Sequence, residues 1–280
     1  MYVATIVASA KKRNLNAETL NEVRANLADV SRVAVIREGI AADIYFEQID
    51  LGYKPPQGFD FIIQKAAARK KKLLVCDMES TIIQNEFLDE IAELGGFKTE
   101  VAKITEKAMN GEIGFREAIE ARVKILKGMP ESEIRALIET RLTYNPGAKE
   151  LLAACKKAGV YTMLVSGGFT IFTDAVTREL GFDESHANRL EFDREGFLTG
   201  VAPPLLGKEA KLEIMAAQAK KMAISLDDCA ATGDGANDLP MLHAAGLGIA
   251  YMAKPKVKAE IKNQINNSDL MAIGYAIGLK

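Results

Sequence analysis

Three apolar segments that lie far apart in the chain each run into a polar or glycine-rich turn, and they constrain the fold more than any other feature. They read KLLVCD at 72–77, VYTMLVSGG at 160–168 and DDCAATGDG at 227–235. Short apolar runs bounded by turn residues predict buried strands. Helical patterns lie between them, at 147–158, 169–180 and 208–222. Strands that alternate with helices predict an α/β fold, here a Rossmann-like parallel sheet with helices on both faces.

One connection is much longer than the others. About sixty residues separate Thr81 from Asn145, where a single helix would connect two parallel strands. Apolar residues recur at helical spacing in two groups within this stretch: Phe87, Leu88, Ile91 and Leu94, then Phe115, Ile119, Val123 and Leu126. We predict a helical cap inserted at about 85–144 into a core that spans 71–280.

The first 70 residues have a different pattern, which predicts a small α+β domain at 1–70. The predicted elements follow the order β-α-β-β-α, at 2–8, 16–29, 33–38, 41–47 and 59–69. The third and fourth of them would form a hairpin around Gly39. The last is predicted as a helix because it follows the Pro-Pro-Gln-Gly turn.

The composition argues against several classes of protein. Apolar residues make up 48% and charged residues 26% of the 280, with a net charge of −2, so we expect no nucleic-acid or anionic-membrane surface. No apolar stretch reaches the roughly 20 residues of a membrane span. The three cysteines are scattered without a metal-binding spacing, which favours a reducing, cytoplasmic location.

The carboxyl ends of the three predicted strands carry polar groups. They present Asp77 and Glu79, then the SGG turn at 166–168, then GDGAND at 233–238. Ligands of open parallel sheets bind beyond these ends. Carboxylates without histidine or cysteine partners suit Mg²⁺, whereas a hydroxyl, glycine-turn N–H groups and a lysine suit phosphate. Each motif alone is typical of a helix cap or a turn, but together they indicate phosphoryl transfer.

The order of these motifs resembles that of the haloacid dehalogenase superfamily of phosphotransferases: DMEST at 77–81, SGG at 166–168, Lys211 and GDGAND at 233–238. The cap segment MNGEIGFREAIEARVKILKG at 109–128 and the spacing from Asp77 to Glu86 are similar to the phosphoserine phosphatases in particular. The resemblance covers roughly 72–255. By pattern only, residues 1–70 resemble the small ACT-like domain of bacterial members.

The resemblance implies a catalytic role for the first motif. Asp77 would attack phosphorus to form an aspartyl-phosphate, and Glu79 would act as the acid and then as the base. Mg²⁺ would bind the carboxylates of Asp77 and Asp234 and the backbone carbonyl of Glu79. Asp238 would hold metal-bound water or orient Lys211.

The resemblance also implies a binding site for phosphoserine as the small-molecule substrate. The phosphate would be held by Ser166, Gly167, Lys211 and Asn237. Glu86 would bind the ammonium group and Arg122 the carboxylate, which an arginine can hold with two hydrogen bonds. Met109 and Phe115 would close over the carbon atoms of the substrate and exclude water.

Glu79 departs from the Asp-x-Asp pattern of the superfamily by one methylene group. Either the site is adapted to the longer acid or the enzyme is slowed, since a displacement of about 1 Å can lower a rate roughly 100-fold. Three hypotheses follow. The chain is a Mg²⁺-dependent phosphoserine phosphatase of serine biosynthesis, a phosphoserine-dependent phosphotransferase to another alcohol such as homoserine, or a non-catalytic amino-acid sensor. ACT-type domains often bind amino acids at a dimer interface, so a homodimer through residues 1–70 with feedback by serine is one hypothesis. The hairpin strands at 33–37 and 41–46 could instead serve packing alone.

Overall fold

The structure is a computed structural model that describes residues 1–48, 56–109, 112–207 and 209–280, without the side chain of Met109. Within this part of the chain the strands are β1 (Tyr2–Ala8), β2 (Val30–Arg37), β3 (Ala41–Phe46), β4 (Phe59–Lys65), β5 (Leu73–Cys76), β6 (Tyr161–Phe169), β7 (Glu184–Phe192), β8 (Leu198–Ala202), β9 (Cys229–Gly233), β10 (Leu247–Tyr251) and β11 (Gln264–Ile265). They form two sheets. A four-stranded sheet has the order β2-β3-β1-β4, and a seven-stranded sheet has the order β11-β10-β9-β5-β6-β7-β8.

The helices lie mostly in the second part of the chain. They are α1 (Ala17–Ala25), α2 (Phe87–Leu94), α3 (Lys98–Met109), α4 (Phe115–Ile125), α5 (Glu131–Arg141), α6 (Ala148–Ala158), α7 (Thr170–Leu180), α8 (Ala210–Lys221), α9 (Leu239–Ala244), α10 (Pro255–Glu260) and α11 (Met271–Ala276). Among the described helices, none has the length and apolar character needed to cross a membrane.

Strand β5 lies inside the seven-stranded sheet, between β6 and β9, and is parallel to both. Leu74 and Cys76 belong to one buried cluster, and Leu73 and Val75 to another. Successive side chains of a strand point to opposite faces, so both faces of the sheet are covered. The predicted α/β fold is confirmed. Strand β8 adds an antiparallel edge that was not predicted.

The long connection after β5 contains helices α2 to α5. The chain enters and leaves this region side by side, because Ile83 and Tyr144 form an antiparallel bridge. The N–H of Gln84 also donates to the carbonyl of Thr143 at 2.8 Å. The four helices therefore connect to the core through two adjacent segments, above the carboxyl end of β5.

The prediction of a helix at 59–69 is wrong. Residues Phe59–Lys65 form strand β4, antiparallel to β1, and a short 3₁₀ turn follows. Phe59 packs in the cluster between the four-stranded sheet and α1, whereas Ile62 packs in the main core. A strand that is buried on both faces lacks the apolar–polar alternation that distinguishes it from a helix.

The four-stranded sheet is anchored to the C-terminal segment by a buried carboxylate. Asp60 is 3% exposed, and its oxygens accept the backbone N–H groups of Asn266, Asn267 and Ser268. The hydroxyl of Ser268 donates to the same carboxylate at 2.5 Å. Arg69 adds hydrogen bonds to carbonyls of α11. These contacts join the N-terminal sheet to the end of the chain.

Candidate active site

The polar groups at the strand ends meet in one cavity of about 300 Å³. It lies beyond the carboxyl ends of β5, β6 and β9, under the helices of the long connection. The predicted site residues that line it are Asp77, Glu79, Glu86, Phe115, Arg122, Ser166, Gly167, Asp234 and Asn237. Of the other predicted residues, Met109 ends α3 with a side chain outside the described part of the structure.

Lys211 and Asp238 lie behind the cavity, in contact with Asp77. Lys211 is 3% exposed, and its Nζ lies 2.5 Å from Oδ1 of Asp77 and 2.5 Å from Oδ1 of Asp238. Burial opposes the charge on Lys211, but the two carboxylates outweigh it and raise its pKa. Asp238 also accepts the N–H of Gly235 at 2.9 Å. The lysine is therefore a fixed cation against the side of Asp77.

Asp77, Asp234 and Asp238 form a buried acidic cluster. One carboxylate oxygen from each lies within 4.8 Å of the others. Burial, and then the charge of Asp238, raises the pKa of Asp77 to about 8 although Lys211 lowers it. Burial likewise raises the pKa of Asp234. The cluster thus carries more negative charge than Lys211 neutralises, and its donors are all oxygen, which fits a hard divalent cation.

A wide turn at Met78–Ile82 directly follows Asp77, and Glu79 is its second residue. Its Oε1 accepts the backbone N–H of Phe87 at 2.8 Å. Burial, and then the charge of Glu86, raises the pKa of Glu79 to about 8. A Cβ atom at residue 168 would lie 3.0 Å from Oε2 of Glu79, so Gly168 leaves room for the longer side chain.

A second polar group lies at the mouth of the cavity. Glu86 precedes α2 and accepts a hydrogen bond from the hydroxyl of Ser80 at 2.8 Å. The carboxylate of Glu86 is partly desolvated by the surrounding protein atoms, which raises its pKa. Arg122 on α4 also lines the cavity. Burial lowers the pKa of Arg122, although the nearby charge of Asp89 raises it. The cavity therefore offers both an anion and a cation near its opening.

The SGG segment at 166–168 lies within β6 and not in the predicted turn, and it lines the cavity. Ser166 is 1% exposed, and its Oγ accepts the N–H of Gly168 at 2.9 Å. A Cβ atom at residue 167 would lie 2.9 Å from Cζ of Phe115, so the ring covers Gly167 closely. The side chain of Asn188 holds this segment by donating to the carbonyl of Gly167. The hydroxyl of Ser166 and the backbone of Gly167 thus line the same cavity as Asp77.

Several lining residues were missed by the sequence analysis, namely Leu88, Asp89, Thr105, Ile119, Phe169 and Lys254. Lys254 brings a second cation: its Nζ lies 3.3 Å from Oδ2 of Asp234. It follows β10, whose carboxyl end points to the same edge of the sheet as those of β5 and β9. The short apolar run LGIAY before it was a signal that could have found this lysine.

The model of the haloacid dehalogenase-like hydrolases matches residues 74–243. A phosphoserine phosphatase of Polaromonas is 45% identical over 205 residues, which cover 71% of this chain and 86% of the relative. One from Archaeoglobus fulgidus is 41% identical over 225 residues, 79% of this chain. In that case the chain spans slightly less than two thirds of the relative, 65%.

Two solved structures are also similar to this chain. A phospho-aspartyl intermediate analogue of phosphoserine phosphatase is 41% identical and matches with a TM-score of 0.68 over 74% of this chain and 98% of its own. A haloacid dehalogenase family hydrolase of Salmonella enterica serovar Typhi is 28% identical, with a TM-score of 0.85 over 99% of this chain and 98% of its own. The chain belongs to the haloacid dehalogenase-like hydrolases and, within them, to the phosphoserine phosphatases.

Proposed function

We propose that this chain is a Mg²⁺-dependent phosphatase that hydrolyses O-phospho-L-serine to L-serine and phosphate. One observation carries the proposal: a single cavity holds Asp77 at its base and both Glu86 and Arg122 near its opening. Phosphoserine has a phosphate at one end and an ammonium and a carboxylate group at the other. Glu86 is complementary to the ammonium group, Arg122 to the carboxylate, and Lys211 beside Asp77 to the phosphate.

In the first step, a carboxylate oxygen of Asp77 attacks phosphorus, and the bond between phosphorus and the seryl oxygen breaks. Glu79 gives its proton to that oxygen, so serine leaves as a neutral alcohol. Burial and the charge of Glu86 raise the pKa of Glu79 and favour the protonated acid, whereas Lys211 lies against Asp77, lowers its pKa and favours its carboxylate. The product on the enzyme is an aspartyl-phosphate.

In the second step, water attacks the phosphorus of the aspartyl-phosphate. Glu79, now a carboxylate, takes a proton from the water, and the bond between phosphorus and Asp77 breaks. Phosphate leaves, and both side chains return to their starting protonation states. The two steps balance without any further reactant.

The acidic cluster supports Mg²⁺ as the metal, because Mg²⁺ prefers oxygen ligands. The carboxylates of Asp77 and Asp234 and the backbone carbonyl of Glu79 would hold it. The contact of Asp238 with Lys211 favours the orienting role for Asp238 over a role in holding metal-bound water. When bound, the ion supplies positive charge that offsets the carboxylates and polarises the phosphoryl group.

We propose that Ser166, the N–H of Gly167, Lys211 and Asn237 hold the phosphate oxygens. The fixed position of Lys211 beside Asp77 supports its role, since it neutralises the nucleophile and the phosphate together. Glu86 and Arg122 bind the ammonium and carboxylate of the serine. Phe115, packed on Gly167, excludes water from the reacting atoms, and Met109 remains a proposed contact.

The test is phosphate release from O-phospho-L-serine by the purified chain, with Mg²⁺ and with excess EDTA. We expect turnover with Mg²⁺ only. Added homoserine distinguishes hydrolysis from transfer, since a phosphotransferase would form O-phosphohomoserine at the expense of free phosphate. Binding of phosphoserine without turnover in Mg²⁺ would overturn the proposal and favour the amino-acid sensor.

We propose that this reaction is the last step of serine biosynthesis and that it takes place in the cytoplasm. Serine is the product that the proposed chemistry releases. Cys76, Cys155 and Cys229 are free and buried, which supports a reducing compartment. Growth of a serine-requiring host that expresses the chain would test the first point, and failure to restore growth by an active chain would contradict it.

We also propose that residues 1–70 form an ACT-like unit, attached to a core at 71–280 with its cap at 85–144, and that the unit forms a homodimer. Strand β2 is an edge strand whose Val35 is 55% exposed. Antiparallel pairing of two copies along β2 would bury the exposed side chains of Val33 and Val35. Light scattering should give a dimer, and Val35→Lys a monomer. A monomeric native chain would refute the dimer.

A further inference from the structure

The turn that follows Asp77 contacts the start of helix α2 at two successive residues. Oε1 of Glu79 accepts the N–H of Phe87 at 2.8 Å. The hydroxyl of Ser80 donates to Oε1 of Glu86 at 2.8 Å. Two neighbouring side chains of the core thus bind two neighbouring residues at the base of the cap.

Helix α2 has no capping side chain of its own. Glu86 is its N-cap residue and makes no hydrogen bond to the first turn through its side chain. The first N–H groups of a helix have no partner within the helix. Glu79 supplies one from outside, which fixes the first residue of α2 relative to Asp77.

The backbone of the turn is shaped for this contact. Ser80 has a φ of +53°, in the left-handed region that residues other than glycine seldom adopt. Such conformations persist where the surrounding structure holds them. Here the conformation directs the hydroxyl of Ser80 to Glu86.

The length of the side chain at position 79 decides whether the first contact forms. An aspartate is shorter by one carbon–carbon bond, about 1.5 Å. From the same backbone position its oxygen would lie about 4 Å from the N–H of Phe87, beyond hydrogen-bond range. The glutamate of this chain therefore reaches both the cavity and the cap helix.

We propose that Glu79 and Ser80 are positioning residues for Glu86, holding its carboxylate where it meets the ammonium group of the substrate. The inference rests on the proposed function in one respect, the binding of phosphoserine through Glu86. The hydrogen bond from Glu79 to α2 does not depend on the substrate. The two parts are tested separately.

The first test compares Ser80→Ala and Ser80→Gly on two substrates. One is O-phospho-L-serine, and the other is 3-(phosphonooxy)propanoate, which keeps the carboxylate and lacks the ammonium group. A solvent-exposed hydrogen bond contributes about 0.5–1.5 kcal/mol, so KM for phosphoserine should rise about 2- to 10-fold in both variants. The kcat should change less than about twofold, and KM for 3-(phosphonooxy)propanoate should stay the same.

Glycine also relieves the left-handed backbone, which separates the two explanations. If Ser80→Gly matches the native chain while Ser80→Ala does not, the backbone matters and the hydroxyl does not. An equal rise in KM for both substrates would show that Glu86 is not the group affected. Either result overturns the role of Ser80.

The second test measures amide hydrogen exchange at Phe87 in the substrate-free protein. Glu79→Gln keeps an acceptor oxygen at the same reach, whereas Glu79→Asp does not. We expect native protection in Glu79→Gln and exchange at least about tenfold faster in Glu79→Asp. Native protection in Glu79→Asp would overturn the role of Glu79. Because the readout needs no turnover, it remains decisive if phosphoserine proves not to be the substrate.

Discussion

Replacing Lys211 with methionine should weaken both folding and catalysis, because the lysine is the one cation that contacts Asp77 and Asp238 together within the described residues. It donates a buried, charge-assisted hydrogen bond to Asp238 and forms a buried ion pair with Asp77, each contact worth about 1.5–3 kcal/mol. Removing one partner of a buried ion pair costs about 3–5 kcal/mol. The sum of the two contacts is therefore similar to the cost of removing one partner of an ion pair. We therefore expect the free energy of unfolding of the Mg²⁺-free protein to fall by about 3–5 kcal/mol.

The loss should be smaller with Mg²⁺, since a bound cation also offsets the charge of the acidic cluster. The kcat should fall about 10²- to 10³-fold, the usual effect of removing one group that stabilises developing charge. Urea unfolding with and without Mg²⁺ and phosphate release measure the two effects. Lys220→Met is the matched control, an exposed lysine on the same helix, expected to change stability by less than about 0.5 kcal/mol. Equal losses in both variants would refute the reasoning.

Three further predictions concern other parts of the molecule. Asp60→Ala should lower the free energy of unfolding by about 3 kcal/mol, measured by urea unfolding, because the N–H groups at 266–268 lose their buried acceptor; an unchanged midpoint would contradict this. Arg122→Lys should raise KM for phosphoserine about tenfold while leaving the hydrolysis of ethyl phosphate unchanged, since a lysine cannot hold a carboxylate with two parallel bonds; equal effects on both esters would count against it. Burial raises the pKa of Cys76 and brings those of Cys155 and Cys229 to about 12 and about 11, so a thiol reagent at pH 8 should label the native protein slowly and all three thiols after denaturation; rapid labelling of the native protein would refute this.

The core of the fold was predictable because its strands carry a strong signal. The apolar runs that became β5, β6 and β9 are each bounded by turn residues, and the helices between them have a clear period. Strands β7 and β8 were not predicted. Segments such as ESHANRLEF are half exposed and mix charged with apolar residues, so no single period dominates.

The cavity was largely predictable because parallel strands end at one edge of a sheet. The same argument applied to β10 would have found Lys254. The role of Asp60 could not be predicted, since it depends on the docking of β4 against residues 266–268, about 200 positions later in the chain. A pattern within one segment carries no information about such a contact. The same limit hid the contact between Glu79 and the start of α2.

The central claim is that Asp77 attacks the phosphorus of phosphoserine. The most direct measurement is phosphate release from O-phospho-L-serine in Mg²⁺ by the native chain and by Asp77→Asn, which keeps the size of the side chain and removes the nucleophilic carboxylate. The account predicts steady turnover by the native chain and a rate at least about 10⁴-fold lower for the variant. A variant within tenfold of the native rate, or a native chain that releases no phosphate, would contradict it.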